Sequence, residues 1–226
     1  MIRAILIDIE GTTTSIRFVT DVLFPYAREN MTDYIVQHKD EANVRMLLNE
    51  VASIAGIEND DAKITRQLIQ WIDEDQKITP LKTLQGMIWK DGYVKGSFKG
   101  HVYNDVEPAL HKWHDLGISL YIYSSGSVSA QKLLFKHTEA GDLTPLFSGY
   151  FDTHIGNKRD MNSYEKIIDE IGVYAKEILF LSDVEEELDA AQQAGMKTLQ
   201  LVREGTVVSG KHGHVKDFSE IELDKV

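Results

Sequence analysis

A chain of 226 residues with 24 Lys and Arg against 36 Asp and Glu carries a formal charge of −12 and no cysteine. That length holds one sizeable core, or a core with a smaller inserted domain, and the second is the expectation here. The acidic balance argues against a nucleic-acid or anionic-membrane partner. The missing cysteines exclude disulfides, thiolate nucleophiles and zinc–thiolate sites, and no apolar run approaches the roughly 20 residues of a membrane span. Acid is reached at Asp8 with no basic, apolar and cleavage-site sequence before it, so a cytoplasmic protein is expected.

The chain opens on an aliphatic run, Ile2 to Ile7, that stops at Asp8. A continuous apolar segment bounded by Gly11 and the threonines 12–14 reads as a strand buried on both faces, the kind found in parallel sheets. Ligands of open α/β sheets bind outside the carboxyl ends of the strands, which puts Asp8 and Glu10 where chemistry occurs. Two carboxylates so close repel unless a cation lies between them, and hard oxygen donors suit Mg2+. The alternative is that Asp8 ends a strand and Glu10 is a solvated turn residue.

From Ile16 to Gly96 the apolar residues recur at three and four. Val19, Val22, Leu23 and Tyr26 form one stripe, Val44, Leu47, Leu48 and Val51 a second, and Ile64, Leu68, Trp71 and Ile72 a third. No strand interrupts them, so a helical unit inserted after the first strand is expected. The stretch Leu81 to Tyr103 carries four glycines among Trp89, Tyr93 and Phe98. It reads as the return path, with glycine hinges and aromatics that either fill a core or line a substrate pocket.

Beyond it a helix with Val106, Leu110 and Trp113, closed by Gly117, leads into a strand Ile118 to Tyr123 that ends in Ser124, Ser125 and Gly126. The helix that follows offers N-terminal amides beside those hydroxyls, a natural phosphate site. A short strand at 150–152 precedes a loop with Lys158 and a helix with Asn162 and Glu165 in capping-box spacing. Lys158 precedes that helix, so it is either solvated or poised to neutralise a phosphate, with an electrostatic rather than structural role. A fourth strand, Ile178 to Leu181, ends at Asp183, and Glu187 lies one turn further on. After a strand Thr198 to Val202, His212 and His214 sit in a polar tail and read as surface residues.

Four strand ends thus present Asp8 with Glu10, then Ser124, Lys158 and Asp183, in that order. The order resembles the haloacid dehalogenase-like phosphohydrolases, with a nucleophilic Asp in the first motif, Ser or Thr in the second, Lys or Arg in the third and acids in the fourth. Glu10 stands where that family usually has Asp. The strings DIEGTTTSI, SSGSVSAQKLLF and FLSDVEEELDAA, with FDTHIGNKRDMNSYEKI and LQGMIWKDGYVKG, are similar to its enolase-phosphatase branch over almost the whole chain.

The resemblance implies an α/β fold, a doubly wound parallel-sheet core (1–15 and 101–226) with an inserted all-helical cap domain (16–100). It implies enolisation and Mg2+-dependent dephosphorylation of 2,3-diketo-5-methylthiopentyl-1-phosphate to the acireductone of methionine salvage. Asp8, Glu10 and Lys158 would be catalytic, Ser124, Ser125 and Lys158 would bind substrate, and one Mg2+ per subunit would be held by Asp8, Asp183 and the side chain or main-chain carbonyl of Glu10. A monomer with a small phosphorylated diketone as its only partner is the matching expectation. A plain phosphomonoesterase or phosphomutase of the same fold is the alternative. A signalling receiver also clusters acids, Mg2+ and a lysine at strand ends, but has no need of so large a helical insert.

Overall fold

The computed structural model describes residues 1–208 and 210–226. In chain order the elements are β1 (Ala4–Ile7), α1 (Ile16–Phe18), a π-turn (Val19–Leu23), α2 (Phe24–His38), α3 (Ala42–Ala55), α4 (Asp61–Asp73) and α5 (Thr79–Lys95). There follow α6 (Val106–Asp115), β2 (Ser119–Tyr123), α7 (Val128–Lys136), β3 (Phe147–Phe151) and α8 (Met161–Ile171). β4 (Ile178–Ser182), α9 (Glu185–Gln193), β5 (Lys197–Leu201) and β6 (Gly213–Val215) complete the chain. The chain divides into two compact units, Met1–Ile16 with Lys99–Val226, and Arg17–Phe98.

The first unit is built on a six-stranded sheet in the order β3-β2-β1-β4-β5-β6, every neighbouring pair parallel. β1 is buried at all four positions because it lies inside the sheet, where an alternating polar face would have no water to meet. Ala4, Leu6 and Phe180 pack on one side with Tyr164, Ile167, Leu188 and Ala191 of α8 and α9. The chain winds outward from β1 to β3, then crosses back to β4 and winds the other way. The order therefore reverses between β1 and β4, and ligands of such sheets bind at the carboxyl ends of that pair. Ile7 faces Leu181 in the register, so Asp8 and Asp183 emerge side by side.

The second unit is all helical. Its core joins Ala27, Met31 and Ile35 of α2, Val44, Leu47, Leu48 and Val51 of α3, Ile64, Leu68 and Trp71 of α4, and Leu81, Leu84 and Ile88 of α5. The stripes of α3 and α4 lie where the periodicity puts them. The first stripe does so only in part: Leu23 is buried and Tyr26 packs against this core, but Val19 and Val22 are half-buried, and the buried face of α2 is Ala27, Met31 and Ile35. The π-turn adds a residue to the helical repeat and so shifts the phase of everything read across it. The expected hinges at Gly86 and Gly92 also fail, since α5 runs unbroken through both and ends at Gly96 with φ +71°. Gly92 is there for space, because a Cβ would come within 2.5 Å of the Phe98 ring and 2.8 Å of Tyr26. Phe98 packs edge-on against Phe18, Tyr26 and Tyr93, and Trp89 stacks on Phe24 while its indole N–H donates to Leu23 O at 2.8 Å.

Two local readings are corrected. The N-cap of α8 is Asp160, whose carboxylate accepts from Asn162 N–H, so the cap precedes the expected Asn162 by two residues. His212 is buried rather than superficial, with Nδ1 2.9 Å from Thr198 Oγ1 and Nε2 3.1 Å from Asp189 Oδ1, because the segment after β5 returns to form β6. His214 is exposed.

Candidate active site

The site is assembled by a tight turn after β1. Asp8 N–H donates to Leu181 O at 2.9 Å, which continues the pairing one residue past the strand, and the N–H groups of Thr12, Thr13 and Thr14 then converge on Ile9 O at 3.2, 3.0 and 2.9 Å. Gly11 makes the turn at φ +76°, a conformation L side chains resist, and a Cβ there would lie 2.2 Å from Asp183 Oδ2. Glycine is thus required twice at this position. The turn brings the Thr12 hydroxyl between the two strand-end acids, donating to Asp8 Oδ2 at 3.1 Å and accepting from Asp183 N–H at 3.1 Å.

Lys158 arrives in the loop after β3, its carbonyl fixed by Tyr164 Oη–H at 2.7 Å. It is 8% exposed. Its ammonium is hydrogen-bonded to Asp8 Oδ1 and paired with Glu187 Oε2 at 2.7 Å. Burial works to lower its pKa and is outweighed by the Asp8 and Glu187 carboxylates, so the lysine is held charged. The solvated reading of the lysine is set aside, and the residue is a buried tie between two acids, structural as well as electrostatic. Glu187 also accepts from Ser182 Oγ at 3.0 Å, and burial followed by the Asp8 charge raises its pKa.

Ser124 is buried beyond β2. Its hydroxyl donates to Glu10 Oε2 at 3.1 Å and accepts from Gly126 N–H at 3.1 Å. Gln131 Nε2 holds this loop by donating to Gly126 O and Phe151 O, each at 2.8 Å, while Ser127 caps α7 through Ala130 N–H. Asp152 Oδ2 accepts from Val128 N–H at 3.1 Å. Ser125 stands exposed beside Ser124. Removal from water, and then the Asp8 charge, raise the pKa of Glu10. A carboxyl whose acid form is favoured in this way is suited to giving a proton and taking one back.

Asp183 is the unfinished group. Its Oδ1 is buried with no hydrogen-bond partner, and burial followed by repulsion from Asp8 pushes its pKa up to about 7. An orphaned carboxylate oxygen beside a second carboxylate is what a hard cation satisfies, so the residues fit Mg2+. Among the described residues no three His, Cys, Asp or Glu side chains gather as a metal-holding group, and the Glu10 carboxyl is turned to Ser124.

Asp8, Glu10, Ser124, Lys158 and Asp183 are therefore brought together, with Ser125 at the margin. Thr12 and the pairing of Glu187 with Lys158 were not expected. Their signal was in the spacing, since each lies four residues after an aspartate, Asp8 or Asp183, that ends a strand.

Residues 2–195 match the haloacid dehalogenase-like hydrolase family. The chain is 54% identical to enolase-phosphatase E1 of Thioalkalivibrio sulfidiphilus, covering 98% of this chain and 99% of that one. It is 55% identical to enolase-phosphatase E1 of Methylococcus capsulatus, covering 98% of each. Among solved structures, Unknown transcript 4 protein of Saccharomyces cerevisiae superposes with a TM-score of 0.83 at 33% identity, over 98% of this chain and 100% of that one. CbbY from Rhodobacter sphaeroides, at 15% identity and a TM-score of 0.62, shares the fold.

Proposed function

The chain belongs to the haloacid dehalogenase-like hydrolases and, within them, to the enolase-phosphatases, and on that premise we propose that it enolises and then dephosphorylates 2,3-diketo-5-methylthiopentyl-1-phosphate to the acireductone of methionine salvage. The observation that carries the proposal is the seating of Asp8, bound to Lys158 and Thr12, beside an Asp183 oxygen that has no partner. Asp8 is the nucleophile: a carboxylate oxygen forms a bond to phosphorus as the bond from phosphorus to the C1 oxygen breaks. Glu10 gives its proton to that departing oxygen, then takes a proton from the water that attacks phosphorus and frees Asp8. Ser124, and Ser125 at the rim, donate to phosphoryl oxygens. Lys158 balances their charge as a compact ammonium anchored from behind by Glu187.

One Mg2+ per subunit, held by Asp8, Asp183 and the main-chain carbonyl of Glu10, would supply neutralisation of the phosphoryl charge and polarisation of the substrate oxygens. The helical unit, Arg17–Phe98, serves as the cap domain of the family. The protein works as a cytoplasmic monomer; among the described residues no helix is long and apolar enough to cross a membrane.

The test is to separate the half-reactions. Asp8→Asn, assayed at high Mg2+, should release no phosphate yet exchange the C1 proton of the diketo phosphate with deuterium or accumulate the enol phosphate. Wild-type protein that releases phosphate from simple esters but forms no acireductone from the diketo phosphate would leave only the phosphomonoesterase.

A further inference from the structure

Arg203, two residues beyond β5, has a side chain only 7% exposed and spends every nitrogen. Its Nη1 and Nη2 form a fork on Asp105 Oδ1 and Oδ2 at 3.0 and 2.7 Å, and Nη1 also reaches Lys216 O at 3.3 Å. The guanidinium lies 4.2 Å from the centre of the Tyr103 ring and 5.5 Å from that of Phe218. Phe218 N–H in turn donates to Asp105 Oδ2 at 2.8 Å. The remaining nitrogen, Nε, donates to Thr12 O at 3.1 Å. This bracket reaches, through Nε, the residue whose hydroxyl joins Asp8 to Asp183.

Thr12 is then fixed at three points: N–H on Ile9 O, C=O under Arg203, and a hydroxyl whose one proton goes to Asp8 while its lone pair takes Asp183 N–H. The neighbouring Thr13 O accepts from Tyr103 N–H at 2.9 Å, so the segment that stacks on Arg203 also steadies the next residue of the turn. We propose that Arg203 is a positioning residue for phosphoryl transfer, which sets the Thr12 hydroxyl and through it the relative placement of Asp8 and Asp183. The inference rests on the reading of Asp8 as nucleophile. Lysine is a poor substitute, because its three N–H donors sit on one nitrogen and cannot span both Asp105 oxygens and Thr12 O as the three separate nitrogens of the planar guanidinium do.

The experiment uses the full chain with Mg2+ and two substrates, the diketo phosphate and p-nitrophenyl phosphate, on which the placement of Asp8 is read whether or not the first is turned over. Arg203→Lys should lower kcat roughly 100-fold on either ester, the loss expected of a reacting group displaced by about 1 Å, with KM within about threefold. Asp105→Asn, which loosens the fork and leaves the arginine, should lose about tenfold. Thr12→Val combined with either variant should be no worse than about threefold below the poorer single, since both act through one hydroxyl. In hydrogen–deuterium exchange, peptides covering residues 8–14 should exchange faster in both bracket variants than in wild type. A folded Arg203→Lys protein with kcat within about twofold of wild type, or losses that multiply with Thr12→Val, would overturn the proposal. If Arg203→Lys does not fold, the Asp105→Asn cycle decides in the same way. Failure of the wild type on the diketo phosphate alone would count against the assigned substrate and not against Arg203.

Discussion

In the helical unit the ion pairs lie outside: Arg28 reaches Asp73 at 2.5 and 2.9 Å and Arg45 reaches Asp61 at 2.8 Å, on side chains a third to a half exposed. In the α/β unit Lys158, Asp8 and Glu187 are nearly sealed from water. The first arrangement leaves cohesion to the apolar stripes, and its charges are replaceable because water takes over whatever a partner gives up. In the second, each charge depends on the others, since an ion left alone in the interior has nothing to replace its hydration. The candidate site lies in the unit whose charges are buried.

The largest break should come from Lys158→Met. With the ammonium gone, Asp8 and Glu187 face each other unpaired, so turnover should fall by at least about 1000-fold, and the cost in stability should be about 3–5 kcal/mol by denaturant titration. Loss of turnover at unchanged stability would mean that the buried network contributes nothing to folding. Leu48→Ala in the helical unit should cost about 2–5 kcal/mol, through a cavity among α2 to α5 rather than through charge, and its effect should not vary with pH.

Asp183→Asn sharpens the contrast from the other side. The folded pKa of Asp183 is raised to about 7 by burial and by Asp8. Its contribution to stability is therefore present below the unfolded carboxyl value, near 4, and is lost as pH climbs to about 7. Freed of metal at pH 8, Asp183→Asn should melt a few degrees above wild type, the gap closing toward pH 5, while phosphate release is abolished. A variant that melts lower at pH 8 would mean that Asp183 is satisfied by the protein alone. Smallest of all, Arg28→Ala should leave turnover unchanged and the melting temperature within about 2 °C, and a larger drop would mean that the exposed pairs contribute to stability as the buried ones do.

The two units were also unequally legible in sequence. Period and run length sufficed for β1 and for the faces of α3 and α4, because burial on one side or both leaves its mark on every residue of an element. The stripe proposed through Val19 and Val22 went astray at a π-turn, which no apolar period announces. In the site, the residues at strand ends could be found because a change from aliphatic to acidic marks the place where a strand leaves the sheet. Arg203 and the burial of His212 were out of reach. Their partners lie far away in the chain, and an arginine or a histidine in a polar stretch looks the same whether it faces water or a neighbour.

The interior place of β1 also bears on how the protein emerges from a ribosome. The strand is made first, but its neighbours are β2 and β4, and neither exists until the whole helical unit has been synthesised. The helical unit is closed by contacts among its own helices, chiefly α2 with α4 and α5 and α3 with α5, so it can fold once α5 is made, while an aliphatic strand with two open edges still waits for its neighbours. Bonds from Asp183 N–H and Arg203 to the turn after that strand come later still. Asp8 is thus among the first residues made, and the contacts that fix its surroundings are among the last to form.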